Sequence, residues 1–311
     1  MSKVEITKVS IIGMGALGLL YGSHIVQHLG MEAVEFIMEE SRFKKNIDQK
    51  FYCNEEAINF KLTKDSEAEP ADLLIVAVKY TGLEEAITSM RKCVGPNTII
   101  LSVLNGISSE KVIGAHYGMD KVIYTVAQGM DAMKFNNKLQ YTHMGKLYLG
   151  IVDARQREKL QAVISFFDKI ELPYVVEEDI LHRMWSKFML NVGVNQTCMV
   201  YDTTYAGALA CGEPNRTMIA AMREVIAVAN AEGIKLSEAD LNQYLEIIGK
   251  LNPEGMPSMG QDRINRKRSE VESFAGTVIE MAKKHKLYVP TNEFLYKRVK
   301  EIEQEYQGEI I

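Results

Sequence analysis

The sequence predicts an α/β domain built on a Rossmann-type parallel sheet, followed by an all-helical domain. Three observations predict it. Short β-branched runs alternate with amphipathic helical stretches through the first half, a Gly-x-Gly-x-x-Gly segment joins the first such run to the first helix, and strand-like runs vanish after about residue 180. Strand–helix alternation at this spacing makes βαβ units, and so a mostly parallel sheet with helices on both faces.

Taken in order, residues 9–12, 34–38, 73–78 and 98–101 read as buried strands, with helical patterns over 17–29 and 83–90 between them. Residues 121–126 continue the set. Segments 140–144 and 146–149, joined around Gly145, read as a hairpin. Helices are then expected over 179–199, over 214–232 ending at Gly233, and over 237–248, where Ser237 precedes Asp240 as in a capping box. Residues 258–286 and 292–306, separated by Pro290, read as two more. The expected domains are 1–178, dinucleotide-binding, and 179–311, helical and substrate-binding or catalytic.

The 311 residues are 47% hydrophobic and 25% charged, ample for two cores and against disorder. With 36 Lys and Arg against 41 Asp and Glu, the net charge is −5, which argues against a nucleic-acid binder. Cys53, Cys93, Cys198 and Cys211 form no CxxC pair and read as reduced thiols. No secretory signal or membrane span is visible, so a cytoplasmic protein without membrane partner is expected. The six histidines have no ligand spacing, so no metal site is expected.

Gly13-Met14-Gly15-Ala16-Leu17-Gly18 lies directly between a strand and a helix. That context suits a dinucleotide: Gly13 for the tight turn, Gly15 for close approach to a pyrophosphate, Gly18 for helix–strand packing. The phosphates would sit on the helix N-terminus, where free N–H groups and the dipole favour an anion. Glu39 follows 21 residues beyond Gly18, at the end of the second strand. A carboxylate there can accept from the adenosine ribose 2′-hydroxyl and repels a 2′-phosphate, which points to NAD. Arg42, Lys44 and Lys45 follow at once and could instead accommodate a phosphate.

In the helical half, Lys187, Asn191 and Asn195 recur at every fourth position within an apolar segment. On a helix they form one polar line, and a lysine there is costly to bury without a partner or a task. Ser258, Asp262 and Glu270, at spacings of four and eight, would share a face of the 258–286 helix. Between them, Arg263 to Arg268 is a basic cluster, a solvated face or an anion contact. Lys79 and Asn105-Gly106 follow strands at the carboxyl edge of the sheet, where doubly wound folds bind ligands.

Together these motifs resemble the ketopantoate reductase (2-dehydropantoate 2-reductase) family. The residues that carry the resemblance are Gly13 to Gly18, Val78-Lys79, Asn105-Gly106, Trp185-Ser186-Lys187 with Asn191 and Asn195, Ser258-Met259-Gly260-Gln261-Asp262, and Ser269-Glu270 with Gly276. The resemblance implies a Rossmann domain and a helical domain with the active site in the cleft between them. It implies NAD(P)H-dependent reduction of a β-branched 2-oxo acid, 2-dehydropantoate or a close analogue, to the D-2-hydroxy acid, a step of pantothenate biosynthesis.

By the same resemblance Lys187 is the general acid and Glu270 orients the substrate. Asn105, Asn191 and Asn195 position nicotinamide and substrate, Ser258 holds the substrate carboxylate, and Lys79 lies along the cofactor. Two departures are visible. The family usually carries Arg where Glu39 stands, to grip the NADP 2′-phosphate, and commonly Asn-Pro-x-Thr-Ala where this chain has Asn195-Gln196-Thr197-Cys198-Met199. Glu39 thus favours NAD(H) and the resemblance NADP(H). Both departures suit NAD-linked D-2-hydroxyacid dehydrogenases of similar sequence, which act on branched or aromatic acids such as mandelate. A homodimer is compatible with the apolar helices.

Overall fold

A computed structural model describes residues 5–308, in two compact units that divide between Ile180 and Leu181. The N-terminal unit runs β1 (Val9–Ile12), α1 (Ala16–Leu29), β2 (Val34–Met38), α2 (Glu40–Asn46), β3 (Phe51–Cys53), β4 (Glu56–Ile58), β5 (Lys61–Lys64), β6 (Leu73–Val76) and α3 (Leu83–Ser89). It continues with β7 (Ile99–Ser102), α4 (Ser109–Tyr117), β8 (Val122–Met130), β9 (Met133–Phe135), β10 (Lys138–Gln140), β11 (Met144–Gly150), α5 (Arg157–Lys169) and β12 (Tyr174–Val176).

Eight strands form one sheet in the order β12-β11-β8-β7-β6-β1-β2-β5, parallel except where β11 runs against β8. Strands β1, β6 and β7 are buried at every position because both faces are covered. Val9, Ile11, Leu73 and Ile75 pack on one side, Ile12, Leu74 and Val76 on the other. From β1 the chain winds outward through β2 and β5, then returns to place β6 on the other flank of β1. That reversal opens a crevice at the carboxyl ends of β1 and β6, the place where sheets of this kind bind ligands.

The sheet corrects the expected hairpin at Gly145. Gln140 belongs to β10, which pairs with β9 and β3 in a separate four-stranded sheet. Gly145 lies inside β11, where Met144 faces Met130 and Lys146 faces Gln128. At φ +68 it sits opposite Gly129 at φ +85, a paired kink that glycine permits and a turn is not needed to explain.

The helical unit comprises α6 (Ile180–Leu190), α7 (Gln196–Tyr201), α8 (Tyr205–Leu209), α9 (Glu213–Ala231), α10 (Glu238–Gly249), α11 (Ser258–Ile264), α12 (Thr277–His285) and α13 (Pro290–Gly308). A π-helical turn, Asn191–Asn195, joins α6 to α7 without interrupting the coil. At the start of α10, Ser237 donates to Asp240 through both its backbone N (2.9 Å) and Oγ (2.7 Å). The single helix expected over 258–286 is not formed. After α11, Arg266 adopts φ +50 and Lys267 N–H returns to the Asp262 carbonyl at 2.8 Å, which closes the helix. A second π turn, Glu272–Gly276, leads into α12. No helix among the described residues is long and apolar enough to cross a membrane.

Two stability predictions follow from the N-terminal unit. A Cβ at Gly18 would stand 1.9 Å from the Gly13 carbonyl oxygen, a backbone atom, whereas one at Gly15 meets nothing nearer than 3.6 Å. Gly18→Ala is expected to lower the unfolding free energy by about 2–4 kcal/mol and Gly15→Ala by under about 0.5, measured by urea denaturation. Glu110 is fully buried at the start of α4, where burial pushes its pKa up to about 7 against a hydrogen bond from Ser109 Oγ at 2.9 Å. The folded state therefore holds an extra proton above the pKa of about 4.5 that an unfolded glutamate has, so stability falls as pH rises toward 7. Glu110→Gln should flatten that fall, read as a melting temperature that rises relative to wild type between about pH 5 and pH 8.

Candidate active site

In the N-terminal unit the glycine segment turns from β1 into α1 at the crevice. Gly13 has φ +106, and a Cβ there would lie 2.4 Å from the Ala77 carbonyl oxygen just past β6. Gly13 and Gly18 are thus demanded by the protein's own backbone. Gly15 is not. It is exposed, has an ordinary φ of −74 and keeps room for a side chain. Its missing Cβ leaves a cradle beside the first turn of α1, which has no side-chain cap. Met14, Ala16 and Leu17 complete the turn, half-buried. The Met14 carbonyl accepts from Lys134 Nζ at 2.6 Å.

Glu39 follows β2 directly and is half-buried, its carboxylate accepting from the Ser41 hydroxyl. Two of the three basic residues beyond it are engaged by other carboxylates: Arg42 by Glu85 at 3.2 Å and Lys44 by Glu40 at 2.8 Å. Lys79 opens the 3-10 turn after β6 and is exposed, while Asn105 is half-buried in the loop after β7 beside Gly106 at φ +106. Ser102 and Ser109, whose hydroxyls lie 2.8 Å apart, clasp the base of that loop.

The helical unit assembles Lys187, Asn191, Asn195, Ser258 and Glu270 through its two π turns. In a regular α-helix residues four apart drift by about 40° per step, so the line of three would wander by about 80°. The π turn at Asn191–Asn195 widens the coil and swings Asn195 back toward the line. Asn195 Nδ2 donates to Asn191 Oδ1 at 3.3 Å, and both side chains are buried. Asn195 Oδ1 accepts from Ser258 Oγ at 2.9 Å and from Met259 N at 3.3 Å, so it also caps α11.

Glu270 is buried just before the second π turn, not on the α11 helix as its spacing suggested. Its backbone is held on both sides. Ser269 donates through N (2.8 Å) and Oγ (2.7 Å) to Glu303, and the Glu270 carbonyl accepts from Ser273 Oγ at 2.8 Å. Gln196, which composition and spacing did not single out, ties the two π turns together. It donates to the Val192 carbonyl at 2.7 Å and accepts from Ala275 N at 3.1 Å. Of the basic cluster, Arg263 is bonded to the carbonyls of Met199 and Val200 at the end of α7, a structural duty rather than an anion contact.

Burial lowers the Lys187 pKa from 10.5 to about 8, and the nearby Glu270 charge opposes that shift. An amine with such a pKa exchanges a proton readily near neutral pH. No group of three or more His, Cys, Asp or Glu side chains that could hold a metal ion occurs among the described residues.

The sequence matches the family described as ketopantoate reductase PanE/ApbA over residues 9–154, and its C-terminal domain over residues 179–303. The chain belongs to the ketopantoate reductase family. It is therefore an oxidoreductase with the α/β and helical domains of that family. The 2-dehydropantoate 2-reductase of Vibrio cholerae serotype O1 is 23% identical over 296 residues, 95% of this chain and 98% of that protein. Among solved structures the fold is similar to D-mandelate dehydrogenase bound to NADH and anilino(oxo)acetate, with TM-score 0.85, 21% identity, and coverage of 96% and 99%. It is also similar to the dimeric ketopantoate reductase of Staphylococcus aureus, with TM-score 0.78, 21% identity and the same coverage.

Because the Glu270 charge raises the Lys187 pKa, Glu270→Gln should move that pKa below about 8. The pH dependence of Lys187 labelling by an amine-specific reagent measures it, and an unmoved midpoint would separate the two groups.

Proposed function

We propose that this ketopantoate reductase family member reduces a β-branched 2-oxo acid, 2-dehydropantoate or a close analogue, to its D-2-hydroxy acid with Lys187 as general acid. The observation that carries the reading is a desolvated lysine with pKa about 8, set beside Glu270 and in line with Asn191. The N-terminal unit would bind the dinucleotide, with Gly13 to Gly18 cradling its phosphates, and Lys79 and Asn105 at the crevice rim contacting its nicotinamide half. The cofactor supplies the hydride that C2 of the acid accepts.

Lys187 delivers a proton to the C2 oxygen as negative charge develops there, and Glu270 and Asn191 orient the substrate. Ser258 takes the carboxylate. Its single hydroxyl proton rests on Asn195 Oδ1, and swinging it to the substrate exchanges a neutral hydrogen bond for a charge-assisted one. Asn195, with its carbonyl oxygen engaged twice, acts by holding Ser258.

The cofactor we infer is NAD(H). Glu39 stands at the carboxyl end of β2, and Arg42 and Lys44 are already paired with carboxylates. A 2′-phosphate would meet that carboxylate, whereas a 2′-hydroxyl would donate to it. This observation also favours a second reading, an NAD-linked D-2-hydroxyacid dehydrogenase acting on branched or aromatic acids. For assembly we propose a homodimer like the Staphylococcus aureus protein, checked by light scattering.

Absorbance at 340 nm, with NADH and NADPH against ketopantoate, 2-oxoisovalerate and phenylglyoxylate, tests the substrate and cofactor together. Turnover of only the aromatic acid would transfer the assignment to the second reading. Lys187→Ala is expected to cut kcat by at least ~100-fold while leaving nucleotide affinity nearly unchanged, and near-normal turnover rejects the general acid. Glu270→Ala should chiefly raise KM. Reduction needs the lysine protonated, so kcat for reduction should fall as pH rises through about 8, and oxidation of the hydroxy acid should rise across the same window.

A further inference from the structure

We propose that Lys134 is a phosphate-binding residue of the dinucleotide site, a cation that faces the pyrophosphate from the strand side of the glycine turn. The inference rests on the dinucleotide reading above and adds to it a residue outside the glycine motif.

The geometry begins at β9. Met133 and Phe135 point away, exposed at 40% and 55%, while Lys134 between them is half-buried and reaches Met14. Met14 is the residue between the first two glycines of the turn. Its carbonyl accepts from the Lys134 ammonium and so holds that charge beside the turn. The strand is not a loose flap. Asp131, just before it, accepts from Thr142 N (2.9 Å), Thr142 Oγ1 (2.6 Å) and His143 N (2.7 Å). Its partner β10 is paired to β3, and Asn54 Oδ1 accepts from Tyr141 N at 2.9 Å. The whole second sheet therefore frames one lysine against the glycine turn.

The chemistry supplies the reason. A dinucleotide pyrophosphate carries two negative charges, and a helix N-terminus offers only about half a positive charge. Backbone N–H groups satisfy oxygens without neutralising them. A lysine held beside the turn supplies a compact point charge for the remainder, as in other phosphate sites. A lysine that served only to pin the hairpin would need its hydrogen bond to Met14, but not its charge near an anion.

The test is isothermal titration of the full-length protein with NADH, ADP and adenosine, for wild type, Lys134→Met and Lys134→Arg. The expected result for Lys134→Met is a Kd about tenfold higher for NADH and for ADP, the order of one lost charge-assisted hydrogen bond. Adenosine should be unaffected, Lys134→Arg should stay near wild type, and added salt should narrow the gap. Three results overturn the proposal: an unchanged Kd in Lys134→Met, equal weakening of adenosine and ADP, or equal losses in both variants together with a lowered melting temperature. Wild type that binds neither NADH, NADPH nor ADP would instead remove the dinucleotide reading itself, and the proposal with it.

Discussion

The helical unit is organised around an ammonium that its surroundings desolvate. Taking a lysine out of water costs several kcal/mol unless it gives up its proton or finds an opposite charge. Here both routes are half taken. Burial brings the Lys187 pKa to about 8, and Glu270 holds it from falling further. A group balanced in this way changes protonation state easily. The proposed chemistry therefore depends on the geometry that maintains the balance, and that geometry resides in the two π turns.

Each π turn departs from the α-helical hydrogen-bond ladder, and each lies next to a residue that the proposed chemistry uses. The first realigns Asn195 with Lys187. The second follows Glu270, whose flanking serines bind Glu303 and its own carbonyl. Gln196 joins the two turns with one donated and one accepted bond, so a shift of either is felt by the other. Neither turn stands alone.

Much of this was legible from residue types. Val9–Ile12 and Val34–Met38 lie where β-branched runs placed them, because strands buried on both faces leave an unbroken apolar signature. The glycine turn was readable since two of its glycines answer to backbone geometry and the third to open space. The kink at Gly145 was mistaken for a turn because a positive-φ glycine serves either purpose, and only Gly129 across the ladder decides. Glu270 was placed on a helix by its spacing, which gave no sign that Arg266 would turn left-handed and end it. Lys134 carried no signal at all: its three-residue strand is too short for periodicity, and its contact spans 120 positions in the chain.

The departure at Asn195-Gln196-Thr197 bears on how this family member keeps its site rigid. Gln196 opens α7 with φ −70, a value that a proline ring would impose. The backbone is therefore of the kind that the more common Asn-Pro sequence enforces, but here the ring is absent. A glutamine at that position loses more freedom on folding than proline and must recover it through its side chain. Its two buried hydrogen bonds do so, and they reach the second π turn, which a proline ring cannot bond. Rigidity that proline would confine to one helix is here shared between the segment carrying Asn191 and the segment that follows Glu270. The substitution thus alters how the polar line is coupled to its carboxylate while leaving the path of the helix intact.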